Sequence, residues 1–288
     1  MTNPEVTAFF HEPSGSYSYV VRAPGDARCA VVDPVLDLDG RALRTSTDFI
    51  DPVIDFVRRQ GLTLDCILET HAHADRLSAA PCVKEKLGGD IVIGANIGKV
   101  QATWNDILNL EGAARFDTAC FDRLLDEDET LAIGPLTLRA MHTPGHTAAD
   151  ATYAIGDAAF IGDTMFAPDY GSARADFPGG SARDLYRSIR RILDLPAETR
   201  LFLCHDYLGE TRKEHRPDFT VREQRESNIH VHDGITEEDF VAFREGRDRT
   251  LSLPALLLFA VQVNLRAGRP PPAERNGVSY LKVPYDRF

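Results

Sequence analysis

The chain alternates between short apolar runs of strand length and longer stretches in which apolar residues recur every three to four positions. Ser16 to Arg22 carries Tyr17, Tyr19, Val20 and Val21. The turn Pro24-Gly25-Asp26 and the run Cys29 to Asp33 follow, so 16–33 reads as a hairpin that Asp33-Pro34 brings to an end. Phe49, Ile50, Val53, Ile54, Phe56 and Val57 predict a helix over 48–60 with Gly61 as its C-cap. Leu64 to Leu68 is a strand, Leu77 to Leu87 a helix stopped by Gly88-Gly89, Asp90 to Gly94 a strand, and 97–110 a helix. From 118 onward the pattern is β, with strands at Leu136 to Met141, Thr152 to Ile155 and Ala158 to Ile161. A helix over 181–194 buries Leu185, Ile189, Ile192 and Leu193, and Arg200 to Cys204 is again a strand.

Beyond that point the pattern weakens. The charged segment 209–250 reads mostly as surface, Leu251 to Leu265 as a buried helix, and the tail, Pro-rich after Arg269, ends in a strand-like run from Tyr280 to Val283. There is no internal repeat. The order of a β half, helix, β half and helix predicts a two-sheet core with helices outside. The expected organisation is one domain over 1–288, its core about 10–210, with a C-terminal helical extension and tail over about 211–288.

Composition narrows the partners. Lys and Arg number 32 and Asp and Glu 44, so the net charge is 32 − 44 = −12, which argues against a nucleic acid or an anionic membrane surface. Leu251 to Leu265 is shorter than the ~17–25 residues of a membrane span. Cys29, Cys66, Cys82, Cys120 and Cys204 form an odd set with no CxxC, which suggests reduced thiols rather than a disulfide framework. Met1 to His11 lacks the basic and apolar regions of a signal peptide, so a cytoplasmic protein is expected.

The candidate chemistry lies just past the ends of the apolar runs. His71-Ala72-His73-Ala74-Asp75-Arg76 follows the run Leu64 to Leu68. His142-Thr143-Pro144-Gly145-His146-Thr147 follows Leu136 to Met141, Gly162-Asp163-Thr164 follows Ala158 to Ile161, and Cys204-His205-Asp206-Tyr207 follows Arg200 to Leu203. Residues two apart do not share a helix face, so His71 and His73 can converge only from a loop. The first cluster alone could be a pair of surface histidines after a strand, and each of the other three alone is a common loop sequence. Four strand-end clusters of His and Asp together point to a metal site, since imidazole and carboxylate suit first-row transition metals.

In that order the clusters resemble the metallo-β-lactamase superfamily over about Ser16 to Tyr207. Within it, Thr70 to Ala80, Ala167 to Phe177, Cys204 to Tyr207, Glu223 to Asn228 and Asn276 to Lys282 resemble the persulfide dioxygenases, the ETHE1-like sulfur dioxygenases, and above all their bacterial β-lactamase-hydrolase-like branch. The resemblance implies an αββα sandwich of two mixed sheets with the site at one edge. It implies one Fe(II) per chain held by the equivalents of His71, His146 and Asp163, and oxidation of glutathione persulfide or a similar small persulfide by O2 to sulfite and thiol. It places Arg174 near the substrate and lets Tyr207 donate a hydrogen bond to substrate or oxygen. A homodimer or homotetramer also fits that family.

Arg76 departs from the family pattern, which commonly has His after the Asp. A guanidinium cannot ligate and repels a second cation, so the chain favours one metal over two. Asp75 is expected to pair with Arg76. His73, Asp75, Arg76 and His205 are then expected to support the ligands, with His73 and His205 hydrogen-bonding water or substrate at the metal. The Cys204 side chain, at a strand end, is expected to point away from His205. Two rivals stay open: a glyoxalase II-like dinuclear thioester hydrolase, and a non-catalytic metal- or sulfide-binding module.

Overall fold

The computed structural model describes residues 2–209 and 212–288. Two six-stranded mixed sheets lie face to face. The first runs in the order Glu5–His11, Ser16–Arg22, Arg28–Val32, Thr63–Glu69, Asp90–Gly94 and Arg123–Leu125, antiparallel at its first two junctions and parallel at the next three. The second runs Thr130–Ile133, Leu136–His142, Ala151–Ile155, Ala158–Phe160, Arg200–Phe202 and Asp218–Thr220, with only the Ala158–Phe160 and Arg200–Phe202 pair parallel. A small sheet of Arg44–Ser46, Val35–Asp39 and Leu77–Ser78 caps one end.

The near-continuous apolar strands follow from burial on both faces. Along Ser16–Arg22, Tyr17, Tyr19 and Val21 face the second sheet, while Val20 faces the helices. Along Thr63–Glu69, Cys66 and Leu68 face inward, and Leu64 and Ile67 outward. Helices Ile50–Arg59, Ala80–Leu87 and Ile97–Ile107 cover the outer face of the first sheet, joined there by Leu257–Asn264. Ala182–Leu193 and Glu237–Asp248 cover the outer face of the second. This is the αββα sandwich. The five cysteines are free thiols. No helix among the described residues is long and apolar enough to cross a membrane.

Several local expectations change. The run Leu77 to Leu87 splits, because Leu77-Ser78 pairs with Val35-Leu36 before the helix begins at Ala80. Tyr280 to Val283 forms no strand. The segment 209–250 is less superficial than its charge suggests: Phe219, Val221, Val231 and Phe240 join the core against Ala182–Leu193, and Arg244 and Asp248 are buried as an ion pair. Pairing the buried charges removes the cost that composition alone assigns to them.

The turn that aims His146 depends on one glycine. Gly145 has φ +151°, and its carbonyl accepts from the Ser181 amide at the start of Ala182–Leu193. A Cβ at Gly145 would overlap the backbone of Leu185. Gly145→Ala is therefore expected to push that helix off the site edge, at a cost of about 2 kcal/mol or a fall in Tm of about 4–8 °C, checked by thermal unfolding.

Candidate metal centre

All four strand-end clusters meet at one edge of the sandwich. The sheets are tied there by Ala151 donating its amide to the Thr70 carbonyl (2.9 Å) and by the Tyr153 hydroxyl donating to the Glu69 carbonyl (2.8 Å). Tyr17 donates to the Cys204 carbonyl (2.8 Å) and Asp206 to that of Gly15 (2.9 Å), so the His205 loop is held against the first sheet.

His71, His146 and Asp163 bring ligand atoms within 4.8 Å of one another, and all three are buried. Asp163 Oδ2 lies 3.7 Å from Nε2 of both His71 and His146. The far nitrogen of each ring is committed. His146 Nδ1–H donates to the Arg174 carbonyl (2.9 Å), and His71 Nδ1–H to Thr70 Oγ1 (3.1 Å), whose own hydroxyl donates to Asp33 Oδ2 (2.9 Å). Both Nε2 lone pairs therefore face Asp163. Burial pushes the His71 imidazole well below its ordinary range, which keeps it in the neutral form that ligates. Burial alone would raise the Asp163 carboxyl, but the imidazoles of His205, His71, His146 and His73 around it hold it well below the ordinary carboxylate range.

His71 Nε2, Asp163 Oδ1 and His205 Nε2 are buried without any hydrogen-bond partner. Such atoms are costly unless something satisfies them, and a cation among them would do so at once. The donor set of two imidazoles and one carboxylate, with remaining positions open, fits iron(II).

The other expected residues fall in three places. His73 turns away from Asp163: its Nε2 lies 3.2 Å from Asp33 Oδ1 and 3.5 Å from Glu69 Oε2, so it faces carboxylates behind the site rather than the cavity. Arg76 is buried and does not pair with Asp75. It donates to the Asp33 carbonyl (3.0 Å) and to Cys204 Sγ (3.1 Å), and its NH2 sits 3.2–3.3 Å from both ring nitrogens of His73. The carbonyl and thiol inside the fold take up the terminal nitrogens of the guanidinium, whose Nε has no partner, and Asp75 instead faces His205, 3.5 Å from Nε2. His205 Nε2 is also 3.4 Å from Asp163 Oδ1. Cys204 points inward rather than away, because its Sγ is the acceptor that the buried Arg76 requires.

Arg174 and Tyr207 line a cavity of about 250 Å³ that opens onto His146, Asp163 and Asp75. The Arg174 guanidinium is engaged with Asp176 (2.6 and 2.7 Å) and with the Ser252 carbonyl (2.7 Å). The Tyr207 ring stacks on His205, with centroids 5.0 Å apart.

Sequence reasoning missed Asp33 and Asn264. Asp33 ends an apolar run just as the other site acids do, but before Pro34 that signal is indistinguishable from a plain strand stop. Asn264, in the helix Leu257–Asn264, donates to the carbonyls of His73 (2.7 Å) and Arg76 (2.8 Å) and accepts from the Ser78 amide (2.9 Å), gripping the loop His73 to Ser78. Nothing local in the sequence announces a contact across so long a stretch of chain.

Fold and site together define a metal-binding αββα sandwich, and the chain belongs to the metallo-beta-lactamase superfamily, whose family model matches residues 11–205. It is 48% identical to a "probable metallo-hydrolase" of Burkholderia pseudomallei, covering 98% of this chain and 99% of that one. It is 44% identical to glyoxylase B2 of Dictyostelium discoideum, covering 89% and 88%. Among solved structures it is similar to ETHE1 from Myxococcus xanthus, with TM-score 0.74 and 26% identity over 92% of this chain and all of that one. The mitochondrial persulfide dioxygenase ETHE1 of Bos taurus is 26% identical over 90% of this chain and 87% of that protein.

Removing the Asp33 side chain would leave the buried Arg76, His73 and Thr70 groups short of a counter-charge and an acceptor. Asp33→Ala is expected to lose about 3–5 kcal/mol of stability, measured by urea unfolding.

Proposed function

We propose that this chain is a persulfide dioxygenase with one iron(II), converting a small-molecule persulfide, O2 and water to thiol, sulfite and protons. The observation that carries the reading is the three-donor face of His71, His146 and Asp163, with His73 turned away and Arg76 closing the space behind it. Likeness to ETHE1 over nearly the whole chain supports it.

His71 and His146 would hold the metal through Nε2 and Asp163 through Oδ2. When bound, iron(II) supplies open coordination positions and the electrons that let a persulfide react with O2. The protein's own groups do the rest. Thr70 and the Arg174 carbonyl keep both imidazoles in the ligating tautomer. Phe166, Tyr170 and Phe177 in the cavity wall exclude water around the entering sulfur. Asp75, which lines the cavity beside His205, would accept the proton of the persulfide or of the water that cleaves the S–S bond. Tyr207, which lines the same cavity, would donate to the outer sulfur or to oxygen.

A second reading, a dinuclear thioester hydrolase, is favoured by the partnerless His205 Nε2 facing Asp163 and Asp75, and by the similarity to glyoxylase B2. Metal analysis with O2 uptake and sulfite assay on glutathione persulfide separates the two. One iron per chain with O2 consumption is expected; two zinc ions per chain with thioester cleavage and no O2 uptake would replace this reading with the hydrolase.

His71→Ala, His146→Ala and Asp163→Ala are each expected to lose the metal, read by metal analysis of the folded variants. Arg76→His is expected to raise the metal stoichiometry towards two by restoring a ligand and removing a cation; a stoichiometry that stays at one would show that Arg76 does not limit it.

A further inference from the structure

The cavity beside His146 and Asp163 is not walled by the family-matched core alone. His230, Arg244, Arg247, Leu251 and Pro254 contribute one side of it, and all lie beyond residue 205, where the family match ends. His230 and Arg244 are fixed in place. His230 Nδ1 accepts from the Ser172 amide (2.9 Å), Asn228 donates to the Gly171 carbonyl (3.2 Å), and Arg244 donates to that of Ser172 (3.2 Å). Ala175 donates its amide to Asp248 Oδ2 (2.9 Å). A Cβ at Gly171, where φ is +100°, would overlap the His230 ring, so the two segments meet at van der Waals contact.

The charges on this wall are not all balanced. Asp176 is taken by Arg174, and Asp248 by Arg244. Arg247 is exposed at the cavity and its guanidinium makes no hydrogen bond or ion pair among the described residues. In a chain of net charge −12 an unpaired cation facing a cavity is conspicuous. The local field agrees: burial, reinforced by Arg244 and Arg247, brings the neighbouring His230 down to about 4. The cavity is therefore lined by acids and an imidazole of the candidate metal centre, by the aromatic rings of Phe166, Tyr170 and Phe177, and by the unpaired cation of Arg247.

We propose that Arg247 is a specificity-determining residue that binds a carboxylate of the molecule carrying the persulfide. The C-terminal extension would thereby select anionic thiol carriers over neutral ones. This rests on the persulfide reading for the sulfur end and on the cavity's charge for the carrier end. Guanidinium is well suited to the task, since it pairs with carboxylate through two parallel N–H donors.

A cation in the last turn of Glu237–Asp248 also eases the helix dipole, and Arg249, one residue past the helix and outside the cavity lining, serves as the control for that. The test compares wild type, Arg247→Gln, Arg247→Lys and Arg249→Gln. O2 uptake is measured with glutathione persulfide and with hydroxyethyl persulfide, which has no carboxylate. Arg247→Gln is expected to raise KM for glutathione persulfide about tenfold, the loss of roughly one charge-assisted hydrogen bond, with kcat unchanged. KM for hydroxyethyl persulfide should stay within about twofold, Arg247→Lys should recover part of the loss, and Arg249→Gln should behave as wild type. Equal losses on both substrates, no loss on either, or an equal loss in Arg249→Gln would overturn the proposal. Calorimetric binding of glutathione, which needs no turnover, keeps the two readings apart. If wild type consumes no O2 with any persulfide, the dioxygenase reading fails. Arg247 is then judged on binding alone: affinity about tenfold weaker in Arg247→Gln upholds it, and unchanged affinity or no binding to wild type overturns it.

Discussion

The buried carboxylate of Asp33 is the constraint on which the rest of the site depends. Its two oxygens accept from the Thr70 amide (2.8 Å) and hydroxyl (2.9 Å), and one of them also meets His73 (3.2 Å). Its carbonyl accepts from Ser18 Oγ (2.8 Å) and from Arg76 (3.0 Å). One residue thus joins the strands Ser16–Arg22 and Arg28–Val32 to the loop that follows Thr63–Glu69. The φ of +49° at Asp33 is what turns the chain so that backbone and side chain serve different partners, and Asp tolerates that region better than most residues. Because Thr70 passes the contact on to His71, an interaction outside the three-donor face orients one of its imidazoles.

Arg76 shows how a buried charge can shape such a site without touching its open side. A guanidinium at this depth is costly unless most of its donors are occupied. Asp33, His73 and Cys204 meet its terminal nitrogens, which draws Asp33 and His73 backwards into the fold, while Cys204 Sγ stays within 4.8 Å of Asp163 and His205. His71, His146 and Asp163 are left facing forwards. The partnerless His205 Nε2 marks a second position that keeps part of a ligand set beside the proposed iron.

The C-terminal extension is structural as well as a wall of the cavity. Asn264 satisfies three backbone groups of the loop His73 to Ser78, and Gln224 donates to the Phe166 carbonyl (2.8 Å) beside the cavity. The site loops are short of regular secondary structure, so their buried backbone groups must find partners elsewhere, and this extension provides them.

The sequence by itself determined the two-sheet architecture, most element positions and the four strand-end clusters, because apolar periodicity and turn residues are local properties of the chain. Its motifs also pointed to His71, His146 and Asp163, which the fold brings within 4.8 Å. It could not determine which way Arg76, Asp75, His73 and Cys204 face, since those choices follow from where buried donors find acceptors. Nor could it draw Asn264, His230, Arg244 and Arg247 to the site. Charge made 209–250 look superficial, but Arg244 and Asp248 neutralise each other inside the fold. Pairings across such distances along the chain exist only once the sheets and helices have packed, and tertiary structure alone decided them.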